Sequence, residues 1–246
     1  MSAPSLESRV HQEEILDGED LGPAELHHSL RQVDAVNRWL GGDRSLRSAL
    51  ADLRIPARRL TLLDVGAGSG RTLRRLLSWG RRPGADWQGV ALDRSEAVVA
   101  VARGLGGDVG DQASPSPPET ETLRWVRGDA LHLPLPDGAV DVALCTLTLH
   151  HFRNEDAVRL LEELARVARI RVVVSDLERG RAAWWGARLL AATVWRGNRI
   201  TRHDGPLSVR RAFTMEELRA LGTRAGLGSV RVRRHHPWRL AMVGDP

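Results

Sequence analysis

Three glycines alternate behind an acidic residue in Asp64-Val65-Gly66-Ala67-Gly68-Ser69-Gly70. Glycine removes the Cβ where a ligand must approach the backbone, and it allows positive φ, so this spacing marks a turn able to wrap a bound molecule. The turn feeds a helical pattern, and a helix N-terminus favours an anion such as a phosphate or carboxylate. A dinucleotide fingerprint needs a small residue at its third fixed position; Arg71 stands there, which would crowd a pyrophosphate and disfavours a hydride-transfer enzyme. Asp93 in Ala91-Leu92-Asp93 and Asp129 in Arg127-Gly128-Asp129 end the next two apolar runs. An acid at a second-strand tip accepts hydrogen bonds from ribose hydroxyls, and Asp129 is placed to accept from an exocyclic amine. Singly, each reads as a loop or capping acid. Together, beside the glycine turn, they form a nucleoside-sized constellation.

His150 and His151 follow the fourth apolar run, Cys145-Thr146-Leu147-Thr148-Leu149. Imidazole titrates near neutral pH, so either suits a general base; equally, one could cap or pack the following helix, and the sequence does not choose between them. His203 beside Asp204 is a third base candidate, or simply part of a turn. Asp176 closes the fifth apolar run, facing a pocket or capping a helix. No metal site is expected, since His235-His236 has no further ligand at metal spacing.

Positioning these residues requires alternating strands and helices. Helical spacing of Leu26, Leu30, Val33, Val36 and Leu40 predicts one or two helices over 23–53, broken near Gly41-Gly42. Strands are expected in Arg59–Val65, Trp87–Asp93, Leu123–Asp129, Val140–Leu149 and Arg169–Leu177. Helices are expected from Thr72 to Leu77, after the N-cap Ser95, and over 154–169, the last with apolar residues at 158, 161, 164, 165 and 168. This order predicts an α/β fold with a mostly parallel, doubly wound sheet. Residues 1–20 are polar and expected to fray, and 104–122, rich in Gly, Pro and Ser, read as a surface loop. Thr214 and Glu217 form a capping box, and Ser229–Arg234 with Arg239–Gly244 are expected as a closing antiparallel pair. A helix-like run carrying Trp184, Trp185 and Trp195 fits a pocket lid, a core helix or an interfacial helix resting on a membrane.

The chain has 246 residues, 42% hydrophobic and 27% charged, inside the globular range. All 36 basic residues are arginine, and the net charge of +5 is too small for this size to imply nucleic acid. Between Arg196 and Arg239, eleven arginines face three acids, which would attract an acidic partner or simply form a solvated face. A single cysteine, Cys145, excludes an internal disulfide, and no apolar run approaches the ~20 residues of a membrane span. With an acidic first twenty residues lacking an apolar core, a cytoplasmic location is expected.

The series LLDVGAGSG, ALD and RGDALHLPLPDGAVDVALCTLTLHHF resembles the motifs of class I S-adenosylmethionine-dependent methyltransferases, over roughly residues 58–176. It is most similar to the small-molecule branch of quinone-biosynthesis C-methyltransferases and natural-product O-methyltransferases. The resemblance implies a Rossmann-like seven-stranded sheet with an antiparallel last strand. It also implies a helical N-terminal extension over 1–57, a methyltransferase domain over 58–246 and a lid insertion at about 178–212. Asp64, Gly66, Ala67, Gly68, Ser69 and Gly70 would then cradle the methionine part of the cofactor. Asp93, with Arg94 beside it, would hold the ribose, and Asp129 with Ala130 the adenine edge. Cys145 and Thr146 would line the cofactor and the methyl exit. By charge and position, Arg38, next to Asn37, would fold over the cofactor and pair its carboxylate.

The implied activity is methyl transfer from S-adenosylmethionine to a small aromatic or lipophilic acceptor such as a phenol, quinone precursor or polyketide, with O-methylation slightly favoured over C-methylation. His150, His151 and His203 are its candidate bases. The alternatives are a nucleic-acid or protein methyltransferase, for which the Asn/Asp-Pro-Pro-aromatic motif of base-amine enzymes is missing after the fourth strand, and a cofactor-binding module without catalysis. Oligomeric state is not legible, and peripheral membrane contact rests on the tryptophan run alone.

Overall fold

A computed structural model describes residues 4–18, 21–51, 59–81, 86–104 and 123–246. Seven strands, β1 (Arg59–Val65), β2 (Asp86–Asp93), β3 (Leu123–Arg127), β4 (Val140–Thr146), β5 (Ala168–Leu177), β6 (Gly228–His235) and β7 (Arg239–Asp245), form one sheet in the order β3-β2-β1-β4-β5-β7-β6. The first five pair in parallel, and β7 runs antiparallel between β5 and β6. The order reverses between β1 and β4, the crevice where doubly wound sheets bind ligands.

Strand alternation separates two cores. Leu63, Val65, Ala143, Cys145, Val172 and Val174 face α5 (Asn154–Val167) and α8 (Met215–Arg224). Leu60, Leu62, Val142, Leu144 and Val173 face α2 (Gly42–Ala51) and α3 (Arg71–Gly80). The buried face of α5 is Ala157, Leu160, Leu161, Leu164 and Val167, one position away from the expected stripe at three places. Thr214 and Glu217 make both bonds of the expected capping box.

The expected lid region holds two helices, α6 (Arg181–Ala192) and α7 (Arg199–Arg211). The latter takes in His203 and Asp204, for which a turn was the alternative reading, and continues through Gly205-Pro206; Gly205 packs so closely on Trp195 that a Cβ would fall 2.2 Å from its ring. Trp184 and Trp195 are buried, whereas Trp185, Leu189 and Val194 stay exposed. Among the described residues no helix is long and apolar enough to cross a membrane. Of the expected loop over 104–122, Gly104 closes a helix and 105–122 lie outside the described residues.

One expectation is overturned. Residues 4–18 do not fray but dock against α7 and the turn after β4. Arg9 donates to the carbonyls of His150, Phe152 and Arg211, and Val10 N donates to Arg210 O. Asp204 accepts from the amides of Ile15 and Leu16, both at 2.9 Å. These are long-range polar contacts, which leave no periodic trace in sequence.

Candidate active site

The glycine turn leaves β1 with Gly66, Gly68 and Gly70 all in the left-handed region (φ 72°, 53° and 68°). A Cβ on Gly66 would lie 2.4 Å from the Thr148 side chain, and one on Gly70 2.5 Å from the Trp125 ring, so both glycines are demanded by the protein's own packing. Gly68 differs: a Cβ there would meet nothing nearer than Leu30, in ordinary contact at 3.7 Å, so packing alone does not demand this glycine. Its amide donates to Asp93 Oδ2 at 3.1 Å, while Ser95 N donates to Oδ1 at 3.1 Å. Asp93 therefore holds the turn and the start of α4 (Glu96–Gly104) while each oxygen keeps a lone pair for a ligand hydroxyl. Burial pushes its pKa up, against the pull of those amides and Arg94.

Asp64 is the least comfortable group in the site. Its carboxyl is buried at the end of β1 with Oδ1 unpartnered, and burial, with Asp93 adding repulsion, pushes its pKa up to about 8. The other expected cofactor residues scatter. Ser69 is buried and its hydroxyl accepts from Arg71 N, while Ala67 N donates to Leu92 O. Asp129 is exposed and accepts from Leu131 N, with Ala130 half-buried beside it. Cys145 is sealed in the α5-side core, and Thr146 is buried with its hydroxyl unpartnered. Arg94 and Arg38 are exposed, and Arg38 lines a separate open cleft with Arg44, Arg47 and His236. Its neighbour Asn37 points inward instead, accepting from Arg239 at 2.7 Å and reaching Thr72.

Beside the turn lies a cavity of about 140 Å³. The helix α1 (Pro23–Trp39) covers both: Leu30 lies over Gly68, and Val33, Val36 and Asn37 line the cavity. Leu147 joins the lining, and its neighbour Thr148 hydrogen-bonds Gly66 O, so one turn after β4 belongs to both spaces. α6, α7 and the turn between them complete apolar walls through Ala183, Ala187, Leu190, Trp195 and Ile200.

Its floor is polar. His150 Nδ1 pairs with Asp176 Oδ1 at 2.7 Å, and the His150 amide donates to Asp176 Oδ2 at 3.0 Å. His151 Nδ1 pairs with Asp17 Oδ2 at 2.7 Å. Both Nε2 atoms face Glu14, at 3.5 Å from Oε1 for His150 and 3.8 Å from Oε2 for His151. Burial alone would lower the His150 pKa, but Asp176 and Glu14 outweigh it and push it up to about 9. Asp176 is held below its ordinary range by His150 despite its burial. Arg211 donates to the carbonyls of Gln12 and His151, tying the floor to α7. His203 sits partly exposed against Asp204, and Asp204 rather than His203 lines the cavity.

Sequence reasoning thus found His150, His151 and Asp176 but missed Glu14, Asp17, Arg211 and Arg239. The paired histidines were a signal that carboxylate partners were needed; nothing local said which.

The methyltransferase domain family matches residues 63–173. Demethylmenaquinone methyltransferase of Thermus thermophilus is 30% identical over 138 residues, 55% of this chain and 56% of that protein. A ubiquinone/menaquinone biosynthesis C-methyltransferase of Methylobacterium nodulans is 33% identical over 115 residues, 45% of this chain and 41% of its own. The chain spans about half the length of the curated relatives it matches. In fold it is similar to a SAM-dependent methyltransferase from Aquifex aeolicus (TM-score 0.60, 19% identity, 92% of this chain and 98% of that one). It is also similar to human N-acetylserotonin methyltransferase in complex with SAM (TM-score 0.62, 16% identity, 91% and 56%). The strand order, the glycine turn at the switch point and the matched segment agree, and over residues 63–173 the chain is similar to S-adenosylmethionine-dependent methyltransferases.

Proposed function

We propose that the chain methylates a small, apolar or aromatic acceptor, with a hydroxyl as the favoured nucleophile. The observation that carries this reading is the cavity: apolar walls, one polar floor, and a volume of about 140 Å³, the size that admits a single six-membered ring.

The residues around the glycine turn fit S-adenosylmethionine. Gly68 is a left-handed glycine that the chain's own packing does not demand, Asp93 keeps lone pairs for two ribose hydroxyls, and the orphaned Asp64 carboxyl waits for a cation. We place Asp129 and Ala130 at the adenine edge, and Thr146 with the backbone of Cys145 beside the methyl exit. When bound, the cofactor supplies a methyl group on a positively charged sulfur, an electrophile needing no further activation.

The chain's part is to orient and to exclude water. α1, α6 and α7 close the acceptor space, and Leu147 and Thr148 set the distance between it and the turn. Glu14, His150 and His151 meet the acceptor's polar end, and Asp176 fixes the His150 ring by holding Nδ1. His203, engaged with Asp204 outside the lining, is left out of the chemistry. A C-nucleophile, as in the names of the quinone relatives, is the competing outcome of the same assay.

Calorimetric titration with S-adenosylhomocysteine comes first. Wild type should bind, and Asp93→Ala should weaken binding by about 1–3 kcal/mol, roughly 5- to 150-fold. Methyl transfer from labelled S-adenosylmethionine to single-ring phenols, against quinols and RNA, then reads the acceptor class. Transfer to RNA with a steep salt dependence, or no binding of the homocysteine product, would overturn the proposal.

A further inference from the structure

We propose that Glu14, His150 and His151 form a binding site for a divalent transition-metal ion of the zinc type, open to the acceptor cavity. One ligand atom from each lies within 4.8 Å of the other two, and the Glu14 oxygens stand 3.5 and 3.8 Å from the two Nε2 atoms. A tetrahedral ion with ligands at about 2.0–2.1 Å separates them by roughly 3.4 Å. The two imidazole–carboxylate separations lie close to that value, and the three groups converge within 4.8 Å. Those separations are too long for well-formed hydrogen bonds between them.

Two independent observations point the same way. His150 Nε2 is buried without a hydrogen-bond partner, a costly state for a polar atom unless something else occupies it. And each histidine gives its Nδ1 to a carboxylate, His150 to Asp176 and His151 to Asp17, both at 2.7 Å. That holds the Nδ1 side of each ring and turns Nε2 toward Glu14, where an ion would take the place of any proton shared with Glu14, the carboxylate–histidine–metal arrangement of metalloproteins. One such pair is common; two on adjacent residues, converging on a third carboxylate, is a built coordination shell.

Arg211 stands 3.8 and 3.7 Å from Glu14 and Asp17 and spends its hydrogen bonds on backbone carbonyls. Two imidazoles and one carboxylate, with no thiolate, suit Zn²⁺, Co²⁺ or Fe²⁺ rather than Ca²⁺ or Mg²⁺. All three ligands line the cavity, so the fourth position opens where the acceptor would sit, as in a catalytic rather than a structural site. No metal site was expected from the sequence, and Glu14 is separated from His150 in the chain by four of the five parallel strands.

The inference rests on the methyl-transfer reading for its purpose. An ion at the floor pairs with the acceptor oxygen, whose proton passes to solvent. The O–C bond then forms as the C–S bond breaks, and the sulfonium becomes a neutral thioether.

The test uses the untagged full chain, stripped with a chelator and desalted. Titration with ZnCl₂ should show one ion per chain, and Co²⁺ should give the visible absorption of a four-coordinate site, altered by adding a phenol. Glu14→Gln and His151→Ala should each weaken Zn²⁺ at least about tenfold, and Asp17→Asn about 10- to 100-fold through the ring it orients. His151→Gln, at a half-buried position, stands in if the alanine variant does not fold. S-adenosylhomocysteine binding, measured on every variant, reports the folded cofactor site. Wild type that binds the homocysteine product but not Zn²⁺, or Zn²⁺ affinity unchanged in Glu14→Gln and His151→Ala, overturns the inference and leaves the transfer reading standing. Zn²⁺ binding without the homocysteine product sinks the transfer reading and leaves the metal site.

Discussion

Asp64→Asn isolates a cost that the free chain carries at neutral pH. The folded chain holds the Asp64 proton up to about pH 8, whereas the ordinary carboxyl value is 3.8. Its folded pKa is raised, so the stability it contributes is full below pH 3.8 and is lost as pH rises towards 8, where the loss levels off. The slope in that window is about 1.4 kcal/mol per pH unit relative to a side chain that does not titrate. By pH 7 the accumulated loss is about 4 kcal/mol. Asparagine is nearly isosteric with the protonated acid, so its stability should lack this slope whatever its offset. Urea unfolding of wild type and Asp64→Asn at pH 5.5, 6.5 and 7.5 should show the wild type losing about 3 kcal/mol more than the variant across that range. Other titrating groups cancel in the difference. A cationic ligand paired with Asp64 takes the ionised form, so binding at pH 7 should release roughly 0.9 proton, read from calorimetry in buffers of different ionisation enthalpy. Parallel stability curves, or no buffer dependence of the binding heat, would refute the assignment of Asp64 as a protonated acid awaiting a cation.

The glycines should separate fold from ligand. Gly66→Ala meets Thr148 at 2.4 Å in a left-handed conformation and should cost about 2–4 kcal/mol of stability in thermal unfolding. Gly68→Ala meets nothing closer than 3.7 Å, so it should cost only about 1–2 kcal/mol of backbone strain yet weaken S-adenosylhomocysteine by more than Gly66→Ala does per unit of stability lost. Arg75 ties α3 to Asp34 of α1 and Asp43 of α2 at 2.8 and 2.6 Å, so Arg75→Ala should cost about 1.5–3 kcal/mol in urea unfolding; an unchanged midpoint would mean the pairs are screened. Ala187→Leu narrows the cavity from α6 and should raise the acceptor KM while leaving homocysteine-product affinity within about twofold.

The glycine turn was legible because every constraint on it is local: a buried strand before, a helix after, and φ values that only glycine takes cheaply. Asp93 was legible as an acid at a strand tip for the same reason, whereas Asp129 lies two residues beyond the end of β3, exposed and accepting from Leu131 N. Even the antiparallel close could be anticipated, because β6 and β7 are neighbours in the chain. α7 was not, since His203-Asp204 could equally be a turn and Gly205-Pro206 disfavours a helix locally; Asp204 is held by the amides of Ile15 and Leu16, and Gly205 packs against Trp195. The floor of the cavity was half legible. A pair of histidines after a strand is visible in sequence, but what they do depends on whose carboxylates meet them. Asp176 arrives from the adjacent strand, and its position at a strand end marked it as a candidate. Glu14 and Asp17 arrive from a polar stretch without period or cap, whose only structural reason is the company it keeps: Arg9 on the carbonyls of the 150–152 turn, Asp204 on its amides, Arg211 between them. A segment held by side chain-to-backbone bonds across the whole chain carries no pattern for a sequence reading to catch. It is also the segment that converts two histidines from a general-base question into a three-ligand site.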